Sequence, residues 1–186
     1  MKHSFVCGNP ALDFAATVRS RLRVPVEMFT SSETLHSWFP DSGIVDGEIN
    51  CRPADLGVAI VMREAIYSLV HAKVAGRDYD GDALAIVNHA ARTPPVVLQL
   101  TRDGRQTEAT PAQALSAVAR HAIEVLGGSD APLIKECSRH ECTRVYIDRS
   151  RGERREWCAM DPCGNMMKAA AYRARKREEK LPAAGK

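Results

Sequence analysis

Four cysteines with paired spacing constrain the fold of this chain more than any other feature of its 186 residues. Cys137 and Cys142 enclose four residues, fifteen residues follow, and Cys158 and Cys163 again enclose four. Without an export signal, clustered cysteines favour a metal over disulfides. Four thiolates complete a tetrahedral Zn²⁺ site and leave no position for a substrate, so we predict one structural Zn²⁺ per chain. The alternative is a group of four free or redox-active thiols.

The residues between and after the cysteine pairs predict a small zinc finger. Residues 145–147 favour a strand, Gly152 favours a turn, and residues 154–158 can return as a second strand. Gly164 and Asn165 suggest a turn and a cap before a helix over 166–180. The predicted order along the chain is the first cysteine pair with its turn (the first knuckle), a hairpin, the second cysteine pair with its turn (the second knuckle), and a helix. The signature of a zinc deaminase is absent from the sequence, so a catalytic zinc is not predicted.

The charge of the chain is divided between its two parts. Of the 26 Lys and Arg, 12 lie in residues 1–130 and 14 in residues 131–186, whereas the 23 Asp and Glu divide 15 to 8. The balance is therefore −3 for the first part and +6 for the second. A basic segment on a metal-braced fold predicts a polyanionic partner, DNA in particular. The alternative is a solvated tail.

The predicted nucleic-acid contacts lie on the finger's insert and on its final helix. Helical spacing places Lys168, Tyr172 and Lys176 on one side of that helix. The full set of candidates is Arg149, Arg151, Arg154 and Arg155 on the insert, with Lys168, Tyr172, Arg173, Arg175, Lys176 and Arg177 on the helix.

The first 130 residues predict a mostly helical domain with one β-hairpin, which makes the whole chain α+β. Asn9-Pro10, Thr30 to Glu33 and Thr110 to Gln113 are helix-start signals, and Asp103-Gly104 is a hairpin signal. Gly127-Gly128-Ser129 marks the predicted boundary between a domain over 1–130 and a finger over 131–186. We expect the two domains to be energetically separable, with helices over approximately 10–18, 32–40, 53–75, 82–92 and 111–127.

Polar residues of the N-terminal domain form a second candidate site. Arg63 lies at the edge of the apolar stripe of the long helix, and Asp13 is its predicted partner. We favour a structural ion pair that joins the first helix to the long one, with Asn9 and Glu64 nearby. The alternative is a cluster that binds a small-molecule effector. The isolated Cys7 and Cys51 are predicted to be packed thiols.

The sequence resembles a known two-domain family. Cys137 to Cys142, Trp157-Cys158 and Cys163-Gly164-Asn165 are similar to the CGNR zinc finger. Residues 8–14, with Arg63-Glu64-Ala65, resemble the ABATE domain that precedes this finger. The resemblance implies a stress-induced transcription regulator that binds zinc and DNA. Two positions depart from the family pattern, since Met166 replaces its final Arg and Ala16 replaces an Asn.

Three classes of function are compatible with these patterns. The leading hypothesis is a DNA-binding transcription regulator whose N-terminal domain acts as a sensor or an assembly module, and homo-oligomers are compatible with it. The second is an adaptor whose finger binds a protein partner. An enzyme ranks last, because no nucleophile–base pair or phosphate-binding loop is evident. No apolar run approaches the ~20 residues of a membrane span, so we expect a soluble, cytoplasmic protein without a membrane partner.

Overall fold

The computed structural model describes residues 3–179. Within this range the chain forms six α-helices. They are α1 (Pro10–Ala15), α2 (Ser32–Asp41), α3 (Pro53–Val74), α4 (Gly81–Ala90), α5 (Pro111–Gly127) and α6 (Asn165–Glu178). Three antiparallel hairpins are formed by β1 (Val18–Arg19) with β2 (Val26–Glu27), β3 (Val97–Thr101) with β4 (Gly104–Glu108), and β5 (Ile134–Glu136) with β6 (Val145–Ile147). The α+β class is confirmed.

Helix α3 is the centre of the N-terminal core, with α1, α2, α4 and α5 packed against it. Its predicted apolar stripe is buried, including Ala59, Met62, Ile66 and Leu69. A cluster of aromatic rings around Trp38 also belongs to this core. The ring of Trp38 lies 5.0 Å from that of Phe14, centroid to centroid. No described helix combines the length and the apolar composition that crossing a membrane would require.

Side-chain caps determine where several helices begin. Asn9 accepts a hydrogen bond from the Ala11 amide at 2.8 Å, as predicted. Thr110 and Gln113 form the predicted reciprocal capping box of α5. The prediction for α2 was wrong by one residue, because its N-cap is Ser31 and the Thr34 hydroxyl accepts from the Ser31 amide at 3.2 Å.

Helix α1 is shorter than predicted. Both the amide and the hydroxyl of Thr17 donate to the carbonyl of Phe14, at 3.1 and 2.7 Å. These bonds close the last turn, and the chain continues as the short strand β1, which includes Val18. A local hydroxyl–carbonyl bond therefore ends the helix where hydrophobic spacing alone would extend it.

The predicted pairing within the finger was wrong. Strand β6 is formed as expected, but it pairs with β5, which precedes Cys137, and residues 154–158 do not form a strand. The hairpin therefore encloses the first cysteine pair. Ser138 still donates to the Glu156 carbonyl at 2.9 Å, so the returning segment is held beside the hairpin by an isolated backbone bond.

The hydrophobic core is continuous from the N-terminal helices into the finger. Strand β5 packs against α3, and the Ile147 amide donates to the Cys7 carbonyl at 2.9 Å. Cys7 is fully buried at this junction. A shared core does not fit the expected energetic independence of the two parts, because unfolding one would expose apolar surface of the other.

Candidate metal centre and basic helix

The four predicted ligands meet in one buried cluster. The sulfur atoms of Cys137, Cys142, Cys158 and Cys163 lie within 4.8 Å of one another. Cys142 and Cys158 Sγ are 3.7 Å apart, as are Cys158 and Cys163 Sγ. Zn–S bonds of about 2.3 Å in a tetrahedron give S–S separations of roughly 3.8 Å. The residues therefore fit one Zn²⁺ with four thiolate ligands, which is a closed, structural site.

Two different turns position the ligands. In the first knuckle, the Cys137 amide donates to the Arg144 carbonyl at 3.0 Å, and the Cys142 amide donates to the Arg139 carbonyl at 2.7 Å. The second knuckle is the turn Met160–Gly164, in which Asp161 departs from helical dihedrals, and it leads directly into α6. Gly164 lies directly under the Met160 side chain, and a Cβ there would be 2.8 Å from Met160 Sδ, so a larger residue would displace that side chain.

The Cys163 thiol does not ionise readily in the absence of a cation. Burial and the neighbouring Cys158 raise the pKa of Cys163 to about 11. Four thiolates this close repel one another, and a bound Zn²⁺ would offset that repulsion while the protons are released. The chemistry of the donor set therefore fits zinc.

A buried carboxylate that the sequence analysis missed organises the insert. Burial alone would raise the pKa of Asp148, but hydrogen bonds from Lys135 and Ser150 bring it below its usual range. Asp148 accepts from Lys135 Nζ at 2.8 Å, from the Ser150 hydroxyl at 2.6 Å and from the Arg155 amide at 2.9 Å. Its position directly after an apolar strand and before Arg-Ser was the available signal.

Two of the predicted DNA-contacting arginines bind within the protein. Arg149 pairs with Asp130 at 2.6 Å and donates to the Gly8 carbonyl at 3.1 Å. Arg155 donates to the carbonyls of Val6, Trp157 and Cys158, and its guanidinium lies 4.5 Å from the Tyr146 ring centroid. These contacts give both residues a structural role in holding the finger on the N-terminal domain.

The remaining predicted contacts are exposed. Arg151 and Arg154 lie exposed on the insert, and every residue of α6 from Asn165 to Arg177 is exposed. Helix α6 contacts the preceding Met160–Gly164 turn and extends from it. Residue 180, the predicted end of this helix, lies outside the described residues.

Met166 and Ala170, on the first turns of α6, lie beside the first knuckle. Both are exposed, and they line a groove of about 660 Å³ opposite the loop Ser138–Glu141 of the first knuckle. Arg139 Nη1 lies 2.9 Å from Met166 Sδ. The first knuckle rather than the hairpin therefore faces the start of α6.

The predicted Asp13–Arg63 ion pair was also wrong. Asp13 accepts from the amides of Val6 and Cys7 at 2.9 and 3.0 Å, and it thereby fixes the turn before α1. Arg63 forms a bidentate pair with Glu27, at 2.6 and 2.8 Å, and a further bond to Glu64. Asn9, Asp13 and the Arg63 pair thus have separate structural partners and do not form one cluster.

These features define a helical domain joined to a four-cysteine zinc finger. The family model of the ABATE domain, described as "Putative stress-induced transcription regulator", matches residues 8–129, and the model of the CGNR zinc finger matches residues 134–176. The chain belongs to the ABATE family and carries a CGNR zinc finger with one structural zinc site. Neither description is that of an enzyme. No curated protein matches the chain.

Proposed function

We propose that this protein is a transcription regulator whose zinc finger binds DNA through α6, with Arg151 and Arg154 at the edge of the interface. The observation that carries the proposal is the exposure of α6 along its whole basic length. Because every residue from Asn165 to Arg177 is exposed, the basic side chains of α6 are available to a partner. Its excess of cations matches a phosphate backbone.

The charges on α6 are arranged in two adjacent strips. Lys168, Tyr172 and Lys176 follow one another at intervals of four residues, and Arg175 lies beside them; Arg173 and Arg177 form the neighbouring strip. Lys176 forms an ion pair with Glu179, the residue just after α6, with Nζ and Oε2 2.8 Å apart. Tyr172 is 56% exposed and can stack or donate a hydrogen bond beside the cations.

The N-terminal domain over 1–130 is proposed as a sensor or assembly module. Two hydrogen bonds join it to the finger: the Ile147 amide donates to the Cys7 carbonyl, and the Arg155 guanidinium donates to the Val6 carbonyl. A change in this domain would therefore reach the zinc knuckles through direct contacts. A small-molecule effector and a homo-oligomer both belong to this proposal.

Replacing Arg173, Arg175 and Arg177 together with alanine is the experiment that tests DNA binding. Each phosphate contact on duplex DNA contributes a slope of about −0.9 to log K against log salt, so the variant should lose up to roughly 2.7 in slope and bind much more weakly. Fluorescence anisotropy of a labelled duplex across a salt series measures both quantities. The matched control replaces Arg102, an exposed arginine on the β3–β4 turn, and should bind as the native chain does. Equal slopes for the triple variant and the native chain would refute DNA binding through α6.

Replacing Met166 with arginine should tighten DNA binding. The side chain is 48% exposed at the start of α6, so a cation there can reach a phosphate without disturbing a core. We expect a gain of about fivefold, which corresponds to roughly 1 kcal/mol for one net charge-assisted contact. The Met166→Gln variant controls for polarity without charge. A gain of the same size in the glutamine variant would show that charge at this position is not responsible.

A protein-interaction adaptor is the second candidate. Exposed methionines favour it, since Met166 and Met167 line the groove beside Arg139, and methionine-rich surfaces adapt to apolar partners. In that case the triple arginine variant would leave partner binding intact, while Met167→Asp would abolish it. DNA of mixed sequence would not compete with the partner.

A further inference from the structure

Three arginines converge on a cavity between the N-terminal domain and the finger. The cavity has a volume of about 410 Å³ and includes Arg19 of β1 together with Arg139 and Arg144 of the first knuckle. His3 and Ser20 line its N-terminal side, and Pro162 of the second knuckle lines the opposite side. Both parts of the chain therefore contribute to its walls.

Within residues 3–179, the Nε atoms of the three arginines beside this cavity have no hydrogen-bond acceptor. Arg144 is 7% exposed, and its buried Nε has no hydrogen-bond partner. The Nε atoms of Arg19 and Arg139 are buried and unpartnered in the same way. Each guanidinium presents five donors and no acceptor, and leaving such donors buried without partners is costly. The arrangement is typical of a site built for an external acceptor.

The neighbouring acids have other partners or face water. Glu141 pairs with Arg23 at 2.9 Å, and Asp13 accepts from two backbone amides. Asp161 also lines the cavity, but it is exposed, so solvent screens its charge. Burial lowers the pKa of His3, which keeps this ring neutral and able to donate one hydrogen bond.

The zinc thiolates account for part of the positive charge. Cys142 and Cys163 form one wall of the cavity, and a Zn²⁺ with four thiolates carries a formal charge of −2. That charge balances two of the three guanidinium groups. The thiolates are directed at the metal, however, and sulfur is a weaker acceptor than oxygen. Among the described residues, the Nε–H groups of the three arginines have no oxygen acceptor and remain available to one in the cavity.

We propose that this cavity binds a phosphoryl or sulfate group, with Arg19, Arg139 and Arg144 as its donors. Guanidinium groups bind tetrahedral oxyanions through paired, charge-assisted hydrogen bonds, and three of them surround such a group from several sides. Because the donors come from both parts of the chain, an anion bound here stabilises their contact. The proposal does not depend on DNA binding by α6.

Inorganic phosphate is the probe, titrated into the full-length, zinc-loaded protein by isothermal calorimetry at constant ionic strength. We expect saturable binding with one phosphate per chain. Arg19→Gln and Arg139→Gln should each weaken it roughly tenfold, the size of one charge-assisted hydrogen bond. Both residues are partly exposed, so these variants avoid the folding risk of changing Arg144. Arg102→Gln, on the distant β3–β4 turn, is the matched control and should bind phosphate as the native chain does.

A second arm identifies the source of the phosphoryl group. Duplex DNA binding is measured with and without saturating phosphate at equal ionic strength. Competition by phosphate, with weaker DNA binding by Arg19→Gln, would assign the cavity to a DNA phosphate; unchanged DNA binding would assign it to a free anion. Either outcome supports an oxyanion site.

Two results would overturn the proposal. One is the absence of saturable phosphate binding, and the other is an equal loss in Arg102→Gln. If phosphate does not bind and Arg144→Gln releases zinc to a chelator more readily, then the guanidinium groups serve the thiolates alone, and the oxyanion site is refuted. The α6 triple variant should still bind phosphate, which separates a failure here from a failure of the DNA-binding proposal.

Discussion

Replacing Cys158 with serine is expected to remove the zinc and to destabilise the whole chain, including the N-terminal helices. Zinc contributes about 10–16 kcal/mol in isolated zinc-finger peptides, which is comparable to the entire stability of a typical domain. Cys158 is fully buried in a core that continues from the finger into the helices. Loss of the metal therefore exposes apolar surface on both sides of the junction.

The two tryptophans allow this effect to be localised. Trp38 lies in the N-terminal aromatic cluster and Trp157 lies in the finger. In a Trp157→Phe background, thermal unfolding followed by emission reports on the N-terminal core alone. Cys158→Ser should lower the melting temperature seen by Trp38, whereas Cys51→Ala, a buried cysteine outside the finger, should retain one zinc per chain. If zinc loss left the melting temperature reported by Trp38 unchanged, the two domains would be energetically independent, as the sequence predicts.

Acid should release the zinc in the native chain as well, because the ligands are thiolates and protons compete for them. Metal content measured after equilibration at decreasing pH should therefore fall together with the Trp38 transition temperature. A loss of zinc that leaves this temperature unchanged would contradict the shared core in the same way.

Replacing Arg63 with methionine should cost about 3 kcal/mol of stability, since it removes one partner of a buried ion pair. The arginine side chain is 3% exposed and Glu27 is 37% exposed. Water can therefore partly solvate the remaining carboxylate, which keeps the loss of stability at the lower end of what breaking a buried ion pair costs. Chemical denaturation measures the change. Arg52→Met, at the N-cap of α3, removes a pair with Asp55 in which the arginine is 77% exposed, and it should change stability by less than roughly 1 kcal/mol.

The pH dependence provides an independent check of the Arg63–Glu27 pair. Burial alone would raise the pKa of Glu27, but hydrogen bonds from Arg63 bring it below its usual value of 4.5. The pair's contribution is therefore complete above pH 4.5 and is lost as the pH falls through the lower, folded-state pKa. The native chain should lose this part of its stability in acid, and Arg63→Met should lose less. If the stability of the native chain and that of Arg63→Met fell equally as the pH decreased, then Arg63 would not be the group that lowers the pKa of Glu27.

Local chemistry made part of this structure predictable from the sequence. The capping box of Thr110 and Gln113 depends on residues three positions apart, so the sequence alone specifies it. The metal cluster is also predictable, because the ligand type and the paired spacing leave few alternatives to zinc. The β3–β4 hairpin has the predicted turn, with Thr101 opposite Gly104.

Choices between distant partners were not predictable in the same way. The sequence offered Asp13 as a carboxylate for Arg63, but Glu27 occupies that position because β2 brings it beside α3. Residues 154–158 were the predicted partner of β6, but β5, which precedes Cys137, pairs with it instead. In both cases several partners have suitable chemistry, and the path of the chain in three dimensions selects among them.

The exposure of α6 has a consequence for how it reaches its ordered form. An exposed helix of 14 residues is close to the length at which helix and coil are balanced in water, and starting its first turn is the unfavourable step. Here Cys163 is held in the metal cluster, and Gly164, which has helical dihedrals, is the residue from which α6 begins. Beyond it, the helix propagates on intrinsic propensity, which its alanines and arginines favour. The metal therefore affects more than its four ligands, because it fixes the residues from which the basic helix continues.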